Sequence, residues 1–307
     1  MSGVDLLVNS VLALITFSLG LTLTRHDFST ILMNPRAMAV GLFSQIVLLP
    51  LVAVFILGYC DFDPVYKLGF FIIAICPGGV SSNLVSFMMH GNVALSISMT
   101  VVNSILALFT IPLLANLGLN YYLSTSGESI TLPFWDTFFA IFLVTVLPAI
   151  IGVFLRAVYK EAAKKMQPVL RYLLPLLLFL IFAIKIFADK ESGGTKLSSE
   201  EFAMMLPAGI LLNFGSMLLG YLMGTAMLIR FRNRITIIIE VGLQNTAMAL
   251  LVAGVLLDNS EMEKPALVYA TFSFFSTFIL TWCFKYLYFL FRKWQKKSRE
   301  LKNPTPN

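Results

Sequence analysis

Glu240 stands in the run Ile237-Ile238-Ile239-Glu240-Val241-Gly242-Leu243-Gln244-Asn245-Thr246, where the sequence offers a carboxylate no ion-pair partner. The nearest basic residue, Arg234, is six residues back, which on a helix is roughly 9 Å. A charge carried into a bilayer core costs about 2.5–3.5 kcal/mol on insertion scales, so intramembrane acids mark ion paths, proton relays or counter-ions. With no Lys or Arg expected at comparable depth, the partner of Glu240 is expected to be a bound cation or a proton. A second stretch, Cys76-Pro77-Gly78-Gly79-Val80-Ser81-Ser82-Asn83, interrupts another apolar run. Proline removes an amide donor, two glycines loosen the backbone, and three polar side chains follow. Backbone groups freed at membrane depth are tolerated only inside protein or beside a water-filled cavity.

These stretches need long apolar elements to carry them, and composition supplies them. Of 307 residues 58% are hydrophobic and 12% charged, about half the charge of a soluble domain. The apolar residues come in blocks long enough for helices to cross a core of roughly 30 Å. The fold class expected is an all-α polytopic membrane protein with nine transmembrane helices. The spans fall at approximately 4–24, 36–59, 65–90, 92–117, 133–157, 166–188, 202–230, 233–257 and 264–291. With the N-terminus outside, alternation puts 16 of the 22 basic residues on the cytoplasmic side, among them Arg25, Arg36, Arg156, Arg230 and the tail from Arg292. Asp61, Asp63, Asp189, Glu191, Glu200, Glu201, Asp258, Glu261 and Glu263 fall outside, as the positive-inside rule requires. The net charge of +6 therefore reports topology and not a nucleic-acid partner. Cys60, Cys76 and Cys283 form neither a disulfide framework nor a zinc pattern. The first apolar run has no basic leader or small-residue cleavage site and is expected to be retained.

The third span runs outside to inside and the eighth inside to outside. Spans one to four match spans six to nine with opposite direction, and span five stands between. Interrupted helices at matched positions of inverted-topology repeats point to the binding site of a secondary transporter, where half-helix N-termini face an anion and oxygens hold sodium.

At these residues the chain resembles the bile acid:sodium symporter family. The resemblance covers nearly the whole length, from Gly20-Leu21-Thr22-Leu23 and Asp27-Phe28 onward. Its most specific pieces are Cys76-Pro77-Gly78-Gly79 with Ser82-Asn83, Gly91-Asn92-Val93-Ala94-Leu95-Ser96, and Glu240-Val241-Gly242 with Gln244-Asn245. The chain is similar to ten-helix bacterial members with the first helix missing, which accounts for the unpaired fifth span. The resemblance implies a core domain (approximately 36–117 and 202–291) holding two broken, crossing helices. It implies a panel domain (approximately 4–24 and 133–188) and a cytoplasmic basic tail, 292–307. It implies two sodium ions: one held by Ser82, Asn83, Ser96, Thr100 and Glu240, the other by Gln45, Glu240, Gln244 and main-chain oxygens near Val241 and Leu243. Hydroxyls, amides and a carboxylate are the oxygen ligands a hard cation favours, and Ser96 and Thr100 fall four apart on one helix face. Taken singly, such residues are commonly helix–helix hydrogen bonds; the set is what makes a site.

Substrate contacts implied are Asn245 and the amides around Val80 and Ser81, with Thr271, Ser273 and Ser276 expected on one face of span nine. Some relatives carry histidine where Ser273 aligns. The implied function is sodium-coupled import of an organic anion, such as a bile acid or a pantoate-like acid, by alternating access. The setting is a plasma membrane, the bacterial inner membrane, with no nucleic acid and no obligate protein partner. An enzyme is not expected: the spans hold no nucleophile–base pair, paired aspartates or zinc motif, and His26 and His90 lie at inner span ends. The alternative is a metalloid or proton-coupled exporter of related fold, with Cys76 as a soft ligand beside Glu240; a buried cysteine is more often a packing residue.

Overall fold

The computed structural model describes residues 3–23, 34–124 and 131–302, the side chains of 171, 191 and 295–302 excepted. His26, Arg25, Asp27-Phe28 and the last five residues of the expected basic tail lie outside the described residues. Described in chain order, the helices are α1 (Gly3–Thr22), α2 (Pro35–Gly58), α3 (Pro64–Ile75), α4 (Ser81–Met88), α5 (Val93–Leu123) and α6 (Phe134–Val158). They continue as α7 (Lys160–Phe187), α8 (Ser199–Ala226), α9 (Phe231–Gly242), α10 (Thr246–Leu256) and α11 (Ser260–Lys302).

Helix ends follow local chemistry. Asp63 caps α3 by accepting from the Val65 amide, with Pro64 at the first helical position, where its missing N–H costs nothing. Asn92 caps α5, Asn245 caps α10, and Ser198 with Glu201 forms a capping box on α8, each satisfying amides that a helix start leaves unpaired.

Six of these helices, α1, α2, α5, α6, α8 and α11, are long and apolar enough to cross a membrane alone, and α7 joins them if its two bent segments count as one span. The other four are short. Helix α3 has 12 residues and α9 has 12, about 18 Å each, well under a bilayer core. The α3–α4 interruption falls at Cys76–Val80 and the α9–α10 interruption at Leu243–Asn245, inside the two stretches that the sequence singled out.

Helix α1 packs chiefly on α6 and α7, and α8 chiefly on α9 and α11. The α1–α6 crossing is backbone on backbone: a Cβ at Gly20 would collide with the Ala149 carbonyl, and one at Gly152 with that of Phe17. Two glycines facing each other let helices approach this closely. Helix α3 packs between α5 and α11, so its side chains from Leu68 to Ile75 are buried throughout. Large aromatic and aliphatic side chains such as Phe55, Phe154, Phe179 and Phe275 are exposed on the outer faces, the reverse of a water-soluble surface.

Candidate functional site

The two interruptions meet. Gly78 and Gln244 form an isolated antiparallel bridge. Around it the Gly79 amide donates to the Leu243 carbonyl at 2.9 Å, and the Asn245 amide donates to the Pro77 carbonyl at 2.9 Å. Each break therefore satisfies backbone groups that the other leaves open, as irregular backbone away from water requires. Gly78 is a steric necessity here, because a Cβ at that position would collide with Oε2 of Glu240.

Glu240 is 2% exposed. Its Oε1 accepts from the hydroxyls of Ser82 at 2.6 Å, Ser96 at 2.6 Å and Thr100 at 3.0 Å. Ser82 comes from the first turn of α4, Ser96 and Thr100 from one face of α5, and the carboxylate from the end of α9. Ser86 Oγ joins them, 3.2 Å from Ser96 Oγ. Among the described residues no Lys or Arg forms an ion pair with Glu240. Next to Ser82 in the chain, both polar atoms of the Asn83 amide are buried with no hydrogen-bond partner among the described residues. An unsatisfied buried amide ordinarily costs about 1–3 kcal/mol.

Of the second predicted set, Gln45, Gln244 and the Val241 carbonyl are linked by hydrogen bonds. Gln45 Nε2 donates to Gln244 Oε1 at 2.6 Å and lies 3.3 Å from the Cys76 carbonyl. Gln244 Nε2 donates to the Val241 carbonyl at 2.6 Å. Gln45 sits in a π-helical segment of α2, Ser44–Leu48, a local widening frequent at functional sites.

The structure groups the predicted substrate contacts differently. Ser81 is exposed, Val80 and Asn245 are half-buried, and Ser81 and Asn245 both adjoin Gly79. Asn245 Oδ1 is occupied by the Met248 amide. Thr271 and Ser273 do not share a face: Thr271 is exposed, while Ser273 is 4% exposed. Two residues turn a helix through about 200°, so the expected common face of span nine fails. Ser276 instead donates to Asn213 Oδ1 at 2.7 Å. Cys76 is buried and gives its carbonyl to Gln45; its thiol is not among the partners of Glu240. His90 is exposed at the end of α4.

Two clusters escaped the sequence reading. Asn213 and Tyr269, each within a long apolar helix, hold the Gly242 carbonyl at 2.8 and 2.6 Å; a polar side chain in mid-span was the available signal. The other buries acids for which the sequence offered no partner, among them Glu263, read as an outer-side residue. Asp5 is 8% and Glu263 1% exposed, and Lys185 binds both, at 2.9 Å and 2.7 Å. A neighbouring network joins Lys264 to Glu201 and Glu261, with Lys190 and Tyr66 also on Glu261.

Fold and site together define a polytopic α-helical membrane protein with two interrupted helical pairs whose breaks meet beside a buried carboxylate. The chain belongs to the Sodium Bile acid symporter family, whose profile matches residues 10–194. That is a family of transporters, not of enzymes. Over 257 residues the chain is 30% identical to the "Probable sodium/metabolite cotransporter BASS1, chloroplastic" of Arabidopsis thaliana, covering 84% of this chain and 61% of that protein. It is 28% identical to the "Uncharacterized sodium-dependent transporter YocS" of Bacillus subtilis, over 77% of this chain and 70% of the relative. It is 29% identical to the human "Ileal sodium/bile acid cotransporter" over 50% of this chain and 43% of that one. The chain thus spans about three-fifths of the plant relative's length.

Proposed function

We propose that this protein is a sodium-coupled importer of an organic anion that works by alternating access. The observation carrying the reading is Glu240: a carboxylate buried under three hydroxyls with no basic partner among the described residues, Ser82 among them being followed in the chain by Asn83, whose buried amide has no partner there either. Three hydroxyl dipoles do not neutralise a charge, and a buried charge is retained where a counter-ion completes it. Sodium fits the donor set of hydroxyls, amide carbonyl and carboxylate. The relatives named as sodium cotransporters support the same ion.

In this reading Ser82, Asn83, Ser96, Thr100 and Glu240 hold one sodium ion. A second is held by Gln45, Gln244, Glu240 and the carbonyls of Val241 and Leu243. The Gln45–Gln244 hydrogen bond then opens so that amide oxygens turn to the ion. Ser81, Val80 and Asn245, at the edge of the bridge, contact the substrate anion, and Ser273 of α11 completes the set. The broken pairs α3–α4 and α9–α10 each count as one span, giving nine crossings with the N-terminus outside and the C-terminus in the cytoplasm. Helices α1, α6 and α7 form a panel against which the remaining helices move. Since the sodium ligands come from α2, α4, α5, α9 and the break that follows α9, ion binding draws the crossing together and completes the anion site, which is reciprocal coupling.

The test is uptake of a labelled organic anion, such as taurocholate or pantoate, into proteoliposomes with an inward sodium gradient. Uptake is expected with sodium and not with potassium or choline. Equal uptake in all three sinks the reading.

A further inference from the structure

We infer that Asn213 and Tyr269 are positioning residues for the ion site at the α9 interruption: they fix one main-chain carbonyl so that its neighbours stay aimed at the cation. This rests on the sodium reading of that site.

A helix end leaves its last carbonyls without intrahelical partners, and at α9 nearly every one can be accounted for. The Ile239 carbonyl accepts from the Leu243 amide at 2.9 Å, and the Leu243 carbonyl from Gly79 at 2.9 Å. The Gln244 carbonyl accepts from Thr246 at 3.1 Å, and that of Val241 from its near neighbour Gln244 at 2.6 Å. The Gly242 carbonyl differs from all of these. It is held by two side chains from two other helices: Asn213 of α8 at 2.8 Å and the Tyr269 hydroxyl of α11 at 2.6 Å. Both side chains are buried, Asn213 to 1% and Tyr269 to 0% exposure.

Their own hydrogen bonding is complete and rigid. Asn213 Nδ2 also lies 3.1 Å from the Tyr269 hydroxyl and 3.1 Å from Thr277 Oγ1. Asn213 Oδ1 accepts from Ser276 at 2.7 Å, which fixes the amide's orientation. With both donors engaged, the Gly242 oxygen is turned toward α8 and α11. It sits between the two carbonyls assigned to the ion, Val241 and Leu243, at the point where the chain leaves the helix (Leu243 φ −109°, ψ 93°). A carbonyl anchored on one side constrains the two peptide planes beside it. The flanking oxygens then need not be reoriented when the ion arrives, and preorganisation of this kind raises affinity without adding a ligand. The anchor touches neither Glu240 nor the hydroxyls of Ser82, Ser96 and Thr100 among the described hydrogen bonds, so its loss should fall on one ion and spare the other.

The experiment is sodium titration of purified full-length protein by thermal shift and by bound ²²Na⁺, with choline chloride holding ionic strength constant. The proteins are the wild type, Tyr269→Phe, Asn213→Leu and Glu240→Gln. Losing one of two donors to a fixed carbonyl is expected to raise the half-saturating sodium concentration about threefold in Tyr269→Phe, and losing the amide about tenfold in Asn213→Leu. The steepness of the sodium response should fall in parallel, because one of two ions is weakened. A purely structural role would lower the sodium-free melting temperature and leave the half-saturating concentration and steepness at their wild-type values; that result overturns the inference. Should Asn213→Leu fail to fold, Tyr269→Phe, which removes a single oxygen atom, still decides. Glu240→Gln separates the two failures. If it keeps the wild-type sodium response, the sodium reading itself is wrong. If it loses that response while Tyr269→Phe and Asn213→Leu keep theirs, only the positioning role is wrong.

Discussion

Glu240 and Glu263 are the same residue at nearly the same burial, 2% and 1% exposed, and they are completed in opposite ways. Glu263 has a cation supplied by the chain: Lys185 Nζ lies 2.7 and 3.0 Å from its two oxygens and 2.9 Å from Asp5. Among the described residues Glu240 has dipoles only, three hydroxyls gathered on one oxygen. A carboxylate with a tethered counter-charge is fixed once the helices have packed, and it ties α1, α7 and α11 together. A carboxylate without one keeps its electrostatic demand open, and an ion from outside can meet it. Burial alone does not distinguish structure from site; the origin of the counter-charge does.

The comparison breaks first at Lys185. Lys185→Met removes the ammonium from Glu263, and breaking a buried pair from one side costs about 3–5 kcal/mol. Denaturation in detergent should show that loss, while the protein that folds keeps its ratio of sodium-dependent to sodium-independent uptake. Adding Glu263→Gln should recover part of the stability, as it lifts the penalty at Glu263 while the Asp5 carboxylate remains. A sodium response that disappears with Lys185 would mean the two glutamates are not separable.

Glu240→Gln should do the reverse. Sodium-dependent uptake falls on the order of 100-fold, roughly 2.7 kcal/mol, while sodium-free stability holds or rises because a buried charge is gone. Uptake within threefold of wild type would remove Glu240 from the ion site.

Asn83→Ala sharpens the contrast on a smaller scale. Deleting an amide with no partner should stabilise the sodium-free protein by about 1–3 kcal/mol and weaken sodium binding about tenfold. If both stabilities fall together, the amide was a packing element and not an open ligand. The smallest effect is expected at Cys76→Ala, with uptake within about twofold of wild type, since its carbonyl and not its thiol faces Gln45; a mutational change of that size is under 0.5 kcal/mol. Loss of activity there would favour a soft-metal exporter.

The sequence made the apolar skeleton legible to within a few residues. Its expected spans at 36–59 and 133–157 are the helices Pro35–Gly58 and Phe134–Val158. Both interruptions were legible because proline, paired glycines and polar side chains in an apolar run have local causes. The hydroxyls around Glu240 came from the family resemblance, and the structure brings Ser82, Ser96 and Thr100 onto its Oε1. What was not legible lies between distant segments. Asp5 and Lys185 are 180 positions apart, and nothing near either names the other, so Glu263 read as an outer-loop acid. Thr271 and Ser273 were assigned to one face by helical spacing, although two residues turn a helix through about 200° and separate them. The α-to-π transitions within α2 and α6 each end just before a proline, Pro50 and Pro148, a signal the sequence reading did not use, whereas that within α10 has no such mark.

The bridge between Gly78 and Gln244 also bears on biogenesis. Ser82 and Glu240, drawn together by it, are 158 residues apart. During synthesis at about 5–20 residues per second, α3 and α4 wait for seconds before residues 240–246 emerge. Throughout that interval the Pro77 carbonyl and the Gly79 amide lack the partners they have in the finished protein. The crossing must therefore be a late, long-range event in assembly, the kind of contact that slows folding most. Substitutions there are expected to reveal themselves first as lost yield of inserted protein, before any change in turnover is measured.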